Sequence, residues 1–182
     1  MQLRAGEVLH VAGPNGTGKT TLLRVLSGLL HPEQGTVFWG GQPIGREQDE
    51  FHASMSYLGH DNALKGDLTA TENLHFAVGV RRPVGHDEIS ATLARLGIAR
   101  CHDLPARVLS AGQRRRLAMA RVLLAQTPLW ILDEPFTNLD RAGVHLFSSF
   151  IGEHARAGGM VALAAHQSLE IPEMTPRLQE LS

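Results

Sequence analysis

Hydrophobic and polar positions along this chain follow two different periods, and the places where the period changes mark its elements. Glu7–Ala12 alternates and runs into a glycine-rich stretch, so it reads as a strand feeding a loop. Thr20–Leu30 places Leu22, Leu23, Val25 and Leu26 on one helical face and stops at His31-Pro32-Glu33-Gln34-Gly35. Thr36–Trp39 is a short strand closed by Gly40-Gly41, and Met55–Leu58 is another. From Thr71 the period becomes helical, over Glu72–Val80, His86–Leu96 and Ser110–Ala125. Leu129–Leu132 is an apolar strand ending in Asp133-Glu134; Arg141–Ala157 is a helix, and Met160–Ala165 a last buried strand. Continuous apolar strands alternating with helices predict an α/β fold with a mostly parallel sheet covered on both faces. The helical stretch 67–115 predicts a subdomain inserted into a core built from 1–66 and 116–182.

Composition narrows the class. The 182 residues suffice for one domain with a proper core, and 43% hydrophobic and 19% charged residues are ordinary globular values. A net charge of −1 supplies no bulk field for nucleic acid or an anionic membrane. One cysteine, Cys101, excludes a disulfide within the chain and suits a reducing compartment. No apolar run approaches the roughly 18–20 residues of a membrane span, and no basic segment followed by an apolar one opens the chain. A cytoplasmic location is expected, with any membrane role supplied by a partner. The histidines at 10, 31, 52, 60, 75, 86, 102, 145, 154 and 166 show no tight ligand pairs, so metal binding by them is not expected.

Residues 13–20, Gly-Pro-Asn-Gly-Thr-Gly-Lys-Thr, form a G-x-x-x-x-G-K-[ST] phosphate loop. Gly13, Gly16 and Gly18 let backbone N–H groups wrap phosphate oxygens, with Pro14, Asn15 and Thr17 completing the turn and Thr21 following in the helix. Lys19 reaches the β- and γ-phosphates, and the Thr20 hydroxyl suits Mg²⁺. A nucleoside triphosphate and Mg²⁺ are therefore the expected ligands, and the family resemblance below makes the nucleotide ATP. The strand 129–132 brings Asp133 to its carboxyl end, where it holds the metal, and Glu134 polarises the attacking water. Arg114-Arg115-Arg116 lacks interleaved aromatics and reads as a solvated or phosphate-proximal helix face, so no nucleic-acid partner is expected.

Leu109-Ser110-Ala111-Gly112-Gln113 resembles the signature of ATP-binding-cassette (ABC) ATPases, and Pro135-Phe136-Thr137-Asn138-Leu139-Asp140 resembles their D-loop. The fold implied is an ABC ATPase: a P-loop NTPase with a RecA-like core, an inserted helical subdomain and, here, an N-terminal antiparallel part largely absent. The resemblance implies that Ser110, Ala111, Gly112 and Gln113 touch the γ-phosphate held by an opposite copy, giving a homodimer that sandwiches ATP. It also implies that Asn138 and Asp140 act in the D-loop, and that His166 is the switch histidine working with Glu134. His60 stands where most members have a glutamine that senses nucleotide. With twelve residues before Gly13, no adenine-stacking aromatic can be named.

The segments Tyr57-Leu58-Gly59-His60, Leu64-Lys65, Glu72-Asn73-Leu74, Pro128 to Thr137 and His166-Gln167 resemble the haem-exporter ATP-binding subunits of cytochrome c maturation, the CcmA type. That resemblance implies an ATPase peripheral to the cytoplasmic face of the inner membrane and bound to integral membrane subunits of a haem-delivery transporter. Without a Cys-Pro or C-x-x-C-H motif, direct haem binding is not expected. Another ABC exporter or importer, a soluble ABC protein acting on ribosomes or DNA, and a non-hydrolysing regulator are the alternatives.

Overall fold

The computed structural model describes residues 1–45, 48–165 and 170–181. The chain forms two compact units: residues 1–57, 127–135 and 147–182 make the first, and 58–126 with 136–146 the second.

The first unit is built on β1 (Val8–Ala12), β5 (Leu129–Asp133) and β6 (Met160–Ala164), flanked by β4 (Met55–Leu58) and β7 (Arg177–Glu180) in the order β4-β5-β6-β1-β7. β1 pairs in parallel with β6, Val8 opposite Val161, and with β7, Leu9 opposite Arg177; β5 pairs in parallel with β6, Leu129 opposite Met160. All five residues of β5 are buried, the mark of a strand covered on both faces. Leu9, Val11, Leu23, Phe51, Ile131, Ala162 and Ala164 form the core. α1 (Lys19–Leu26) and α2 (Gln48–Ala53) belong to this unit, and β2 (Phe38–Trp39) pairs with β3 (Gln42–Pro43) as a hairpin.

α1 ends at Leu26 rather than at Leu30 because the chain turns out through Ser27 and Gly28, with the Leu29 N–H donating back to the Arg24 carbonyl at 2.9 Å. α2, β3 and β7 are additions to the elements expected from periodicity. β7 reads Arg-Leu-Gln-Glu, with little apolar signal, and is a strand because β1 offers it a free edge to pair with.

The second unit holds α3 (Ala70–Gly79), α4 (His86–Arg95) and α5 (Ala111–Ala125). α3 starts on a capping box: Thr69 Oγ1 accepts from the Glu72 N–H, and the Glu72 carboxylate accepts from the Thr69 N–H. Ala70, Leu74, Val78, Ile89, Leu93, Leu96, Leu117 and Leu124 are buried here. α6 (Arg141–Arg156) begins in this unit and runs on into the first.

Candidate nucleotide and signature sites

The phosphate loop connects β1 to α1. Gly13 sits at φ 151°, and a Cβ there would lie 2.5 Å from the Leu181 carbonyl oxygen and 2.9 Å from Thr17 Oγ1, so only glycine fits. Thr17 Oγ1 donates to the Pro14 carbonyl at 3.0 Å and fixes the loop's curvature. Lys19 is buried, its Nζ donating to the carbonyls of Gly13 (2.7 Å) and Pro14 (2.8 Å), which centres one positive charge in the loop. α1 has no acidic residue in its first turn and, among the described residues, no side-chain cap on its N-terminus. Its first N–H groups and the positive end of its dipole are thus left for an anion.

Behind the loop, Thr20 Oγ1 donates to Asp133 Oδ1 at 3.2 Å, joining residues 113 positions apart. Asp133 closes β5 and is only 1% exposed. A hydroxyl and a buried carboxylate converging at the mouth of a phosphate loop are hard oxygen donors, the set that suits Mg²⁺. Glu134 follows at φ 49°, with its N–H on the Ala164 carbonyl at 2.9 Å. A non-glycine residue in that region is strained by about 1–3 kcal/mol, a cost met at the point where the chain leaves β5. Tyr57 lies close by: burial and the Asp133 carboxylate push its phenol above the usual value, against a smaller opposing pull from Arg24.

The second unit assembles the other set. Ser110 caps α5, its Oγ accepting from the Gln113 N–H at 3.2 Å while Gln113 Oε1 accepts from the Ser110 N–H at 2.8 Å. Ser110 and Ala111 are exposed, and the Ser110 hydroxyl proton remains available to donate. Gly112 packs against the D-loop: a Cβ there would meet the Asn138 carbonyl oxygen at 2.9 Å. Asn138 adopts φ 63°, which asparagine tolerates. Asp140 Oδ1 accepts from the Gly143 N–H at 2.8 Å, in the manner of a helix cap for α6, and from Arg116 Nη2 at 3.2 Å.

The arginine triplet is not the solvated face that its composition suggests. Arg114 Nη1 donates to the Leu109 carbonyl, Arg115 is 1% exposed and bonded to the 59–62 segment, and Arg116 Nη1 donates to the Leu96 carbonyl at 2.9 Å. These bonds reach residues up to 56 positions away, which no local pattern reveals. His60 is exposed on its loop. His166 lies outside the described residues.

The comparisons with known proteins agree on one family. Residues 1–137 match the family described as ABC transporter. The chain is 51% identical over 166 residues to the cytochrome c biogenesis ATP-binding export protein CcmA of Nitrosococcus oceani, covering 91% of this chain and 76% of that protein. It is 44% identical over 171 residues to the protein of the same name from Escherichia coli (strain K12), covering 94% and 81%. Among solved structures, cbiO1 from Clostridium perfringens, part of the ABC transporter complex cbiONQ, superposes with a TM-score of 0.74 at 28% identity, covering 94% of this chain and 71% of that one.

Proposed function

This chain belongs to the ABC transporter family, and we propose that it powers haem export, or the release of a haem-loaded chaperone, in c-type cytochrome biogenesis. It is an ATP-binding, ATP-hydrolysing subunit of a transporter complex with membrane partners. Among the described residues no helix is long and apolar enough to cross a membrane. Our reading places the subunit peripherally, at the cytoplasmic face of the inner membrane.

The observation that carries the hydrolytic reading is the Thr20–Asp133 contact at the mouth of the loop that Lys19 fills. Residues Gly13 to Thr21 bind the triphosphate, and Thr20 and Asp133 hold Mg²⁺. When bound, the ion neutralises charge developing on the phosphate oxygens. Glu134 orients the attacking water and takes its proton, His166 donates toward the γ-phosphate, and His60 senses the nucleotide. Ser110 to Gln113 and the D-loop residues Asn138 and Asp140 complete the site of a second copy in a homodimer. Support comes from the exposed hydroxyl at the N-terminus of α5, placed where an anion is favoured.

The segment 60–80 takes a short cytoplasmic helix of the membrane subunit. Phe76 is 57% and Val80 80% exposed on or just beyond α3, and Lys65 Nζ lies 4.4 Å from the Phe76 ring centroid, an apolar surface with a cationic edge. No direct haem binding enters this reading.

The test is Glu134→Gln. We expect ATP turnover to fall about 10²–10⁴-fold while ATP still binds and an ATP-dependent dimer accumulates. Turnover at the wild-type rate would remove Glu134 from its role. A protein that stays monomeric with ATP in that variant would remove the sandwich.

A further inference from the structure

The segment from Gly59 to Leu68 contains no helix or strand, so its backbone polar groups must find partners elsewhere. Backbone N–H groups of Leu68, Ala106 and Arg107 supply some of them, bonding to the carbonyls of Lys65, Leu68 and Gly66, and three side chains from two helices supply others. Arg115 Nη1 donates to the Gly59 carbonyl at 2.9 Å and to Asn62 Oδ1 at 3.1 Å. Arg121 Nη1 donates to the carbonyl of Ala63, itself at φ 49°, at 3.0 Å. Asn73, from α3, accepts from the Lys65 N–H at 2.8 Å and donates to the carbonyls of Lys65 and Leu68 at 3.0 Å.

Arg115 stands apart from the others. It is 1% exposed, on a helix whose other buried residues, Leu117, Ala118, Met119, Ala120, Val122 and Leu124, are apolar. Burying a guanidinium carries a heavy desolvation penalty unless its hydrogen bonds are met, and an apolar side chain of similar volume would fill the space without it. Among the bonds of Arg115, two fall on residues 59 and 62, one on each side of His60. Both bonds come from Nη1, and arginine suits this task because its rigid planar guanidinium fixes the directions of the two N–H groups on that nitrogen, which the freely rotating ammonium of lysine does not.

We propose that Arg115 is a positioning residue for His60: it holds the Gly59 carbonyl on one side of that histidine and the Asn62 side chain on the other, so that the loop presents the imidazole in one orientation. The proposal rests on the reading of His60 as the nucleotide-sensing residue. Arg115 also lies five residues after Ser110 on the same helix, about 7.5 Å along its axis at 1.5 Å per residue. One rigid element therefore carries both the signature end and the clamp on the His60 loop.

The test is a double-mutant cycle on ATP turnover by the full-length protein. Arg115→Met keeps volume and removes the donors. We expect it to lower kcat roughly tenfold or more with KM for ATP within about threefold, the pattern of a lost transition-state interaction. In the His60→Ala background the same change is expected to lower kcat by less than about twofold, because the residue it positions is gone. Arg115→Lys should restore only part of the loss. Asn62→Ala removes one acceptor on a half-exposed loop and leaves the helix core intact, so it decides the matter if Arg115→Met does not fold. We expect a smaller kcat loss for it, again absent once His60 is alanine. Equal fold-losses in both backgrounds would overturn the proposal and leave Arg115 a structural residue. A silent His60→Ala would overturn both this proposal and the reading it rests on. A His60→Ala loss with additive Arg115 and Asn62 effects would overturn this proposal alone.

Discussion

Substituting Gly112 by alanine sets two forces of similar size against each other. Gly112 lies in the first turn of α5, where alanine is favoured over glycine by about 0.8–1 kcal/mol on helix propensity. The added Cβ, however, would stand 2.9 Å from the Asn138 carbonyl oxygen, a backbone atom of the D-loop. Relieving that contact to an ordinary separation of about 3.4 Å moves the carbonyl by about 0.5 Å, and overpacking of this kind costs about 1–3 kcal/mol. The sum is a destabilisation of about 0–2 kcal/mol, or a drop in Tm of about 0–8 °C for a chain of this size. Activity should suffer more than stability. A misplacement of about 1 Å can lower a rate 10²-fold, so about 0.5 Å in the D-loop predicts a loss of about tenfold or more. Thermal unfolding and steady-state ATP turnover on the same preparation check both numbers. Gly79→Ala is the stability control: it closes α3 with nothing within 4 Å of the new Cβ, and should raise Tm by up to about 2–4 °C. Gly112→Ala with wild-type turnover and a similarly raised Tm would mean that propensity alone acts and that the Asn138 carbonyl imposes no constraint.

Ser110 separates capping from phosphate contact. Ser110→Ala should lower stability by about 0.5–2 kcal/mol and abolish most turnover, while Ser110→Asp should recover the stability, since aspartate caps well, but not the turnover, since it repels phosphate. Recovery of both by aspartate would reduce Ser110 to a cap. Thr20→Val removes the hydroxyl on Asp133 Oδ1, and should weaken the Mg²⁺ dependence of turnover while ATP binding without the metal stays nearly unchanged; an unaltered Mg²⁺ titration would contradict the donor set. His154 stacks on Trp130 with ring centroids 3.8 Å apart and 3° between planes, its Nε2 lies 3.2 Å from the Pro128 carbonyl, and burial holds its pKa below the ordinary histidine value. The folded state thus favours neutral imidazole and the unfolded state binds more protons. Stability should be complete above about pH 6.5 and fall as pH drops below it, and His154→Phe should flatten that slope in denaturant titrations from pH 7 to 5.

What the sequence made legible was local. The strands at Met55–Leu58 and Leu129–Asp133 and the helix His86–Arg95 announce themselves by period. The phosphate loop is legible because its glycines, lysine and threonine are contiguous. What stayed hidden depends on partners distant along the chain. β7 is a polar tetrapeptide that becomes a strand only beside β1, and α2 is six residues long, too short for a period to show. Arg115 looked like part of a solvated triplet because its partners are 53 and 56 positions upstream. The signal that pointed inward was its place on the same face as the apolar run that follows.

If ATP hydrolysis by this chain drives a step in c-type cytochrome biogenesis, haem-stained c-type cytochrome should disappear in cells lacking the gene and return on complementation. Only the full-length wild-type gene, and not its Glu134→Gln form, should restore the stained bands, while total haem stays normal in every strain. A deletion strain without a second copy that keeps its c-type cytochromes would sever the link and leave an ABC ATPase whose cargo lies elsewhere.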